Sequence, residues 1–261
     1  MCTTCGCSGT SEAAVLDSGH SHDGDHHAHV HQHGHEHAPG AVVSLEQQIL
    51  AKNSLLAERN RGWFAGRGIL ALNLVSSPGA GKTTLLERTI RELGPTLPIG
   101  VVEGDQATET DAARIRAAGC EAVQINTGTG CHLDADMVRR GLAALKPAPG
   151  SVVMIENVGN LVCPALFDLG EHAKVVMLSV TEGDDKPLKY PHMFRAAQLM
   201  VVTKSDLLPY VDFSIERCLG HARAVNRPIR TFVLSAATGE GVAAWYDWLT
   251  TERAAVLEAS A

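Results

Sequence analysis

A short apolar run, a glycine-rich turn and a helical pattern follow one another between residues 69 and 93. Residues 69–75 are mainly apolar, Ser-Ser-Pro-Gly-Ala-Gly-Lys-Thr-Thr occupies 76–84, and a helical pattern covers 83–93. Gly79 and Gly81 permit a turn whose backbone N–H groups point into one concavity, and the start of the helix adds partial positive charge. A strand, such a turn and a helix together form a phosphate-binding P-loop. The segment therefore predicts an α/β fold built around a phosphate site.

The rest of the chain repeats the alternation of apolar runs and helical patterns. The candidate strands cover residues 69–75, 99–103, 122–125, 152–156, 175–180, 199–203 and 230–234, and crossover helices are predicted over 83–93, 109–118 and 134–145. This alternation is typical of a mostly parallel sheet with helices on both faces. We therefore predict an α/β P-loop NTPase domain over residues 68–261, with ligands at the carboxyl ends of the strands.

A separate helix is predicted over about residues 44–67, within a helix-and-linker segment that spans 41–67. Its apolar residues recur near one face. Ser44 is expected to be the N-cap, with Gln47 at the capping-box position.

The glycine-rich turn supplies the expected phosphate contacts. Lys82 should reach the β- and γ-phosphates, and the Thr83 hydroxyl should bind Mg²⁺. One position departs from the usual pattern, because Ser76 stands where a first glycine is expected. The nucleotide-binding residues predicted here are Ser77, Pro78, Gly79, Ala80, Gly81, Lys82, Thr83 and Thr84.

Two later loops favour guanine over adenine. Thr-Lys-Ser-Asp at 203–206 follows an apolar strand. Asp206 would accept hydrogen bonds from the guanine N1–H and 2-amino groups, and ATP would leave it partly unpaired. Lys204 would lie along the purine, and Ser235 and Ala236 resemble a second base-contacting loop. The alternative for 203–206 alone is an ordinary polar turn.

Acidic residues at the ends of two other strands are candidates for Mg²⁺ and catalysis. Glu156 ends one strand, and Gly159 is positioned to sense the γ-phosphate. Asp105 follows the second strand and could hold Mg²⁺ or position water. We assign catalysis to Lys82, Asp105 and Glu156, and Mg²⁺ binding to Thr83, Asp105 and Glu156. With no obvious glutamine or arginine finger, slow GTP hydrolysis is expected.

Residues 1–40 differ sharply from the rest of the chain. They carry five acidic residues, no Lys or Arg, and few large apolar side chains. Such a segment cannot offset the entropy of ordering, so we expect it to be disordered without metal. Cys2, Cys5 and Cys7 provide three soft thiolate ligands, which suit Zn²⁺ or Ni²⁺. The α-amine of Cys2, exposed once Met1 is removed, could join the three thiolates in a planar set of four ligands that favours Ni²⁺.

A histidine-rich tract lies within the same segment. Nine of the thirteen histidines fall between positions 20 and 37. Many imidazoles on a flexible chain can bind several metal ions, each with moderate affinity. The candidate ligands are His20, His22, His26, His27, His29, His31, His33, His35 and His37.

A third candidate metal site involves the loops that follow two strands. Cys131, His132 and Cys163 should lie at the same sheet edge as the nucleotide. Three ligands leave a metal one short of four, so a second copy of the chain could complete the site. From spacing alone, however, Cys131 and Cys163 fit core thiols better than ligands. The remaining cysteines and histidines are interpreted as structural.

Charge and hydropathy exclude several classes of protein. The chain has 22 Lys and Arg against 29 Asp and Glu, a net charge of −7, which argues against nucleic-acid binding. No apolar run is long enough to span a membrane, and the first residues do not resemble a secretory signal. With seven cysteines and no signal, a disulfide framework is not expected. We therefore expect a cytoplasmic protein.

Several motifs together resemble one known family, the hydrogenase nickel-incorporation GTPases of the HypB family. The matching elements are Cys2-x-x-Cys5-Gly-Cys7, the histidine-rich tract, the turn at 76–84, Glu103-Gly-Asp-Gln, Cys131-His-Leu-Asp, Glu156-Asn-Val-Gly-Asn-Leu-Val-Cys163-Pro and the segment 181–191. The resemblance covers most of the chain. It implies that serine at position 76 is normal.

The resemblance also implies function and partners. It implies a SIMIBI-class GTPase that binds GTP and Mg²⁺, forms a homodimer with nucleotide, and delivers Ni²⁺ to the large subunit of nickel–iron hydrogenase. It further implies a HypA-type accessory protein that binds zinc, and a metal site at Cys131, His132 and Cys163. The cysteine triplet and histidine tract together would combine delivery with storage.

Three alternatives remain. A urease-type nickel chaperone GTPase shares the domain, although the cysteine triplet and Cys131 directly before His132 speak against it. A nickel or zinc storage protein would not need GTP turnover. A small-molecule kinase would need an acceptor pocket that the sequence does not identify.

Overall fold

The computed structural model describes residues 39–105 and 110–260 of the chain. Their centre is a seven-stranded sheet in the order β3-β2-β4-β1-β5-β6-β7, and every neighbouring pair is parallel. The strands are β1 Leu70–Ser76, β2 Ile99–Asp105, β3 Glu121–Asn126, β4 Val152–Glu156, β5 Ala173–Ser179, β6 Leu199–Thr203 and β7 Arg230–Val233. All predicted strands are present, and their ends lie within two residues of the predicted ones.

Helices connect the strands. They are α1 Pro39–Ala65, α2 Lys82–Leu93, α3 Thr110–Ala117, α4 Ala135–Leu145, α5 Lys186–Lys189, α6 Pro191–Ala196, α7 Ile215–Val225 and α8 Val242–Ser260, with 3-10 turns at Cys163–Ala165 and Ser205–Tyr210. Asp134 caps α4, because its Oδ1 accepts from the Met137 N–H at 2.7 Å.

Alternate side chains of β1 enter apolar clusters on opposite faces of the sheet. Leu72 and Leu74 pack in one cluster with residues of α2 and α8, including Trp245. Ala71 packs in another with residues of α1 and α4, including Phe64. A third cluster joins β5 and β6 to α6 and α7. The predicted parallel sheet with helices on both faces is therefore confirmed.

The start of the first helix was predicted wrongly. α1 begins at Pro39, so Ser44 lies inside the helix and is not its N-cap. Proline is favoured in the first turn of a helix, where its missing N–H needs no partner. The small and apolar residues between Pro39 and Ser44 are helical, so the helix begins five residues earlier than predicted.

The described residues fall into two units, 39–48 and 49–260. The second unit contains the sheet and the site described below. The expected disorder of residues 1–40 concerns positions that are almost all outside the described residues. None of the described helices is long and apolar enough to cross a membrane.

Candidate functional site

The glycine-rich turn joins β1 to α2 at the carboxyl edge of the sheet. Gly79 and Gly81 adopt φ values of 74° and 93°, which side chains other than glycine rarely tolerate. Gly81 is the N-cap of α2 and brings no side chain to the first N–H groups of the helix. Those groups and the helix dipole favour an anion at this point.

A cleft of about 470 Å³ opens over this turn. It brings together residues from the ends of β1, β2 and β4 and from α2, α3 and the loop after β6. Its lining residues are Pro78, Gly79, Ala80, Gly81, Lys82, Thr83, Thr84, Glu103, Gly104, Asp105, Asp111, Arg114, Glu156, Asn157, Val158, Gly159 and Lys204. Most predicted nucleotide and Mg²⁺ residues thus face one cavity.

Lys82 and Thr83 are held by side chains on neighbouring strands. The Lys82 Nζ donates to Ser76 Oγ at 2.8 Å, and the Thr83 hydroxyl donates to Glu156 Oε1 at 2.8 Å. Burial lowers the pKa of Lys82, although Glu156 opposes the shift. The serine that replaces the usual first glycine therefore contacts the P-loop lysine directly, a contact that glycine could not make.

Two buried carboxyl groups lie at the floor of the cleft. Glu103 on β2 and Glu156 on β4 are register partners, and both are at least 95% buried. Burial raises the pKa of Glu103 to about 8, helped by the charges of Glu156 and Asp105. Burial also raises the pKa of Glu156 to about 7, against the effects of Lys82 and Thr83.

The same carboxyl groups fit a divalent cation. Oε2 of Glu103 and Oε2 of Glu156 are buried without a hydrogen-bond partner among the described residues. Carboxylate and hydroxyl oxygens are the ligands that Mg²⁺ prefers, and a nearby cation stabilises ionised carboxylates. Thr83, Glu156 and Asp105, the predicted Mg²⁺ residues, all face this position.

The predicted base-binding loops lie at the carboxyl ends of β6 and β7. Thr203 donates through Oγ1 to the Ala80 carbonyl at 2.6 Å, and Lys204 Nζ donates to the Gly79 carbonyl at 2.8 Å. The Ser205 N–H donates to the Leu234 carbonyl at 3.2 Å, which joins the two loops. Of the predicted base contacts, Lys204 lines the cleft, whereas Asp206, Ser235 and Ala236 are not among its described lining residues.

The structure also brings Cys131, His132 and Cys163 together. The two Sγ atoms are 2.7 Å apart, and Cys131 Sγ is 3.6 Å from His132 Nδ1. All three potential ligand atoms lie within 4.8 Å of one another. Burial lowers the pKa of His132, which favours the neutral, metal-binding form of the imidazole. The interpretation of these cysteines as core thiols, made from spacing alone, did not anticipate this cluster.

The other described cysteines and histidines lie apart from it. Burial raises the pKa values of Cys120 and Cys218 to about 12, as expected of structural thiols. His172 lies 3.5 Å from a Glu252 oxygen, and His221 Nδ1 is 3.0 Å from the Asp184 carbonyl. The remaining predicted ligands, Cys2, Cys5, Cys7 and the histidines from 20 to 37, lie outside the described residues.

One segment runs from the cleft to the metal-ligand cluster. It starts at Glu156, passes Gly159 and ends at Cys163. A Cβ at Gly159 would lie only 3.0–3.1 Å from atoms of Pro78, so this segment packs closely on the P-loop. Asn160 Nδ2 donates to the Cys131 carbonyl at 3.3 Å. The two sites are thus joined by contiguous chain and by direct contact.

Sequence reasoning missed three charged residues of the cleft, Glu103, Asp111 and Arg114. Arg114 binds both oxygens of Glu87 at 2.9 and 3.1 Å and lies 3.1 Å from Asp111. An arginine therefore lines the cleft in cis, although its guanidinium is engaged by carboxylates. Glu103 begins the Glu-Gly-Asp-Gln motif and could have been found there. No motif in the sequence marks Arg114.

Comparisons with known proteins match most of the described domain. The CobW/HypB/UreG nucleotide-binding domain matches residues 70–232, a range that includes the P-loop and Cys163. Hydrogenase maturation factor HypB from Rhizobium leguminosarum bv. viciae is 57% identical over 213 residues, which cover 82% of this chain and 71% of that relative.

Two solved structures share the fold. The HypB structure from Archaeoglobus fulgidus has a TM-score of 0.73 and 40% identity, covering 78% of this chain and 99% of that one. HypB from Helicobacter pylori, solved in complex with nickel, has a TM-score of 0.73 and 35% identity, covering 77% of this chain and 95% of that one.

Proposed function

Because the chain belongs to the HypB family of hydrogenase maturation factors and carries the CobW/HypB/UreG nucleotide-binding domain, we propose that it is a GTP-hydrolysing nickel metallochaperone. Its cargo is Ni²⁺, and its target is the large subunit of nickel–iron hydrogenase. The observation that carries this proposal is the segment from Glu156 to Cys163, which begins in the P-loop cleft and ends in the cluster of potential metal ligands.

The P-loop holds the triphosphate. Lys82 neutralises phosphate charge, and the N–H groups from Gly79 to Thr84 donate to phosphate oxygens. Lys204 and Asp206 hold guanine, with Ser235 and Ala236 closing the other side of the base. The hydrogen bonds from Thr203 and Lys204 to P-loop carbonyls support this arrangement, because they fix the base loop beside the phosphates.

Thr83, Asp105 and Glu156 hold Mg²⁺ when it is bound. A Mg²⁺ ion bound there would supply positive charge next to the phosphates. Asp105 orients the attacking water, and Lys82 stabilises negative charge on the transferred phosphoryl group. Because carboxylates already engage the Arg114 guanidinium, we infer slow hydrolysis, which suits a switch.

Cys131, His132 and Cys163 bind the metal ion. Two thiolates and an imidazole suit Ni²⁺ and Zn²⁺ alike. A nucleotide-dependent homodimer would supply further ligands across its interface. The nickel complex of the Helicobacter pylori relative supports nickel as one of the metals that this fold accommodates.

The N-terminal segment adds a second metal-handling function. Cys2, Cys5 and Cys7 form a thiolate site, and the histidines from 20 to 37 store nickel. A HypA-type accessory protein, with its own zinc, exchanges nickel with the chain before transfer to the hydrogenase subunit. The well-formed cleft argues against a storage protein with a vestigial nucleotide domain.

A metal titration at the Cys163 site tests the central claim. Alkylation of the half-buried Cys131 by iodoacetamide, followed by peptide mass spectrometry, reports occupancy of this site separately from residues 1–40. With free Ni²⁺ set by a chelator, the concentration that half-protects Cys131 should differ between GDP and a non-hydrolysable GTP analogue. Equal protection in both nucleotide states would contradict the proposed nucleotide switch.

A further inference from the structure

A row of buried polar side chains connects the loops that carry the potential metal ligands. Its members are Asn157, Asn73, Glu171 and Lys174, and each is less than 9% exposed. They come from the end of β4, the middle of β1, the loop before β5 and β5 itself. We refer to these residues as the polar row.

One end of the polar row lies beside both sites. Asn157 directly follows Glu156 and lines the P-loop cleft. Its Oδ1 accepts hydrogen bonds from the Val158 N–H and the Leu133 N–H, both at 3.0 Å. Since Leu133 follows His132, a shift of the Asn157 side chain would move the backbone next to a potential metal ligand.

The middle of the row crosses the sheet. Asn157 Nδ2 donates to Asn73 Oδ1 at 3.2 Å, and Asn73 Nδ2 donates to Glu171 Oε1 at 3.0 Å. The Glu171 Oε2 accepts from the Leu169 N–H at 2.7 Å. Both amide donors therefore point toward Glu171, and a reversed Asn73 amide would place its oxygen against the Glu171 carboxylate.

The other end of the row reaches the segment that follows Cys163. Lys174 Nζ lies 3.7 Å from Glu171 Oε1 and donates to the carbonyls of Pro164 at 2.8 Å and Phe167 at 3.2 Å. The centroid of the Phe167 ring in turn lies 3.9 Å from that of the His132 imidazole. The row therefore ends at the backbone next to a second potential ligand.

The polar row places amide and charged side chains among the apolar residues of the core. Asn73 is completely buried in a strand whose other side chains are largely apolar, and leucine has a similar shape. Replacing a whole buried polar network by apolar groups of the same shape is often neutral or stabilising, whereas removing one member leaves its partners unpaired. Stability alone therefore does not require a polar row through this part of the core.

We propose that Asn157 and Asn73 are positioning residues that transmit the nucleotide state of the cleft to the loops carrying Cys131, His132 and Cys163. The inference rests on the proposed function, because it identifies the contacts through which one site alters the other. A change at Glu156 on nucleotide binding moves Asn157. Asn157 then acts directly on Leu133, and through Asn73, Glu171 and Lys174 on the backbone after Cys163.

The test compares two nucleotide states in three variants of the full chain. The free Ni²⁺ concentration that half-protects Cys131 from alkylation is measured with GDP and with a non-hydrolysable GTP analogue. In the wild type the two concentrations should differ by about fivefold or more, the usual lower range of coupling between sites. Asn73→Leu and Lys174→Met should reduce the ratio to within about twofold, while GDP affinity stays unchanged.

Asn226→Ala is the matched control. Asn226 also donates to buried backbone carbonyls, at 2.7 Å to Ala197 and 2.9 Å to Phe194, but contacts neither metal loop. It should keep the wild-type ratio. A purely structural role for the polar row would weaken Ni²⁺ binding equally in both states and leave the ratio intact, which would overturn the inference.

The outcomes separate this inference from the proposed function. A wild-type ratio near one would overturn both. A clear wild-type ratio that Asn73→Leu and Lys174→Met retain would overturn the inference alone. Should Asn73→Leu fail to bind GDP, Lys174→Met decides the result, because it breaks the row at the opposite end.

Discussion

Glu103 and Glu156 face each other as register partners on adjacent parallel strands, and each has a buried Oε2 without a hydrogen-bond partner among the described residues. Burial favours the protonated form of both groups and raises both pKa values, and the charge of Glu156 adds to the rise at Glu103. A bound divalent cation would reverse this preference. We therefore expect proton binding, Mg²⁺ binding and stability to be linked at the floor of the cleft.

We expect the metal-free protein to lose stability as the pH rises from about 5 to 8. The folded state retains protons on Glu103 and Glu156 that the unfolded state has already released. Between its unfolded-state and folded-state pKa values, each group therefore lowers the free energy of unfolding by up to about 1.4 kcal/mol per pH unit. Glu103→Gln should remove one such contribution. Urea unfolding at several pH values, without Mg²⁺ or nucleotide, measures this. Parallel pH profiles for wild type and variant would contradict it, and the exposed Glu121→Gln should keep the wild-type slope.

Lys82→Ala should lower GTP hydrolysis by about a hundredfold or more, because it removes the ammonium group that lies at the start of α2 in the P-loop cleft. Metal binding by Cys2, Cys5 and Cys7 should be unaffected. Phosphate release and metal titration of residues 1–7 measure the two effects. Loss of both activities would contradict separate sites, and the exposed Lys52→Ala serves as the control.

Asp206→Asn should shift base preference from guanine toward xanthine. The carboxylate accepts from guanine N–H groups, whereas an amide can donate to the additional oxygen of xanthine. Competition between GTP and xanthosine triphosphate in the hydrolysis assay measures the change. Unchanged GTP selectivity would refute the role of Asp206, and the exposed Asp212→Asn is the matched control.

Cys163→Ser should weaken Ni²⁺ binding at the site formed with Cys131 and His132 by at least about tenfold, since it removes one of the three clustered ligand groups. Thiolate-to-nickel charge-transfer absorption should fall with it. Cys120→Ser provides a control, because its thiol lies outside the cluster and donates to the Ile99 carbonyl. Equal nickel affinity in the two variants would remove Cys163 from the site.

Deleting residues 20–37 should lower the number of Ni²⁺ ions bound per chain without changing GTP turnover. The deletion removes nine of the thirteen histidines and leaves the described domain intact. Equilibrium dialysis with atomic absorption gives the stoichiometry. An unchanged number of bound ions would end the storage proposal.

The strands and the P-loop could be predicted because their signals are local. Apolar runs and glycine spacing report directly on the segments that contain them. The helix start at Pro39 was missed because a plausible N-cap, Ser44, occurs later in a segment that is already helical. Local signals of this kind compete, and the sequence does not rank them.

The residue contacts between strands could not be predicted, because they depend on strand order. β1 lies between β4 and β5, and β2 lies next to β4, although none of these pairs is consecutive in the chain. The pairing of Glu103 with Glu156 and the contact of Asn73 with Asn157 both follow from that order. Cys131 and Cys163 meet for the same reason. Their positions in the sequence placed both loops at one sheet edge, but only the family resemblance favoured metal ligands over core thiols.

The hydrogen bonds from Thr203 and Lys204 to the carbonyls of Ala80 and Gly79 have an electronic consequence. Each carbonyl shares a peptide group with the N–H of the next residue, Gly81 or Ala80. A donor on the oxygen withdraws electron density and makes that N–H more acidic, since hydrogen bonds in series polarise one another. We therefore expect the proposed base-binding loop to strengthen phosphate binding by the P-loop, so even inorganic triphosphate should bind less tightly once Thr203 is replaced by valine.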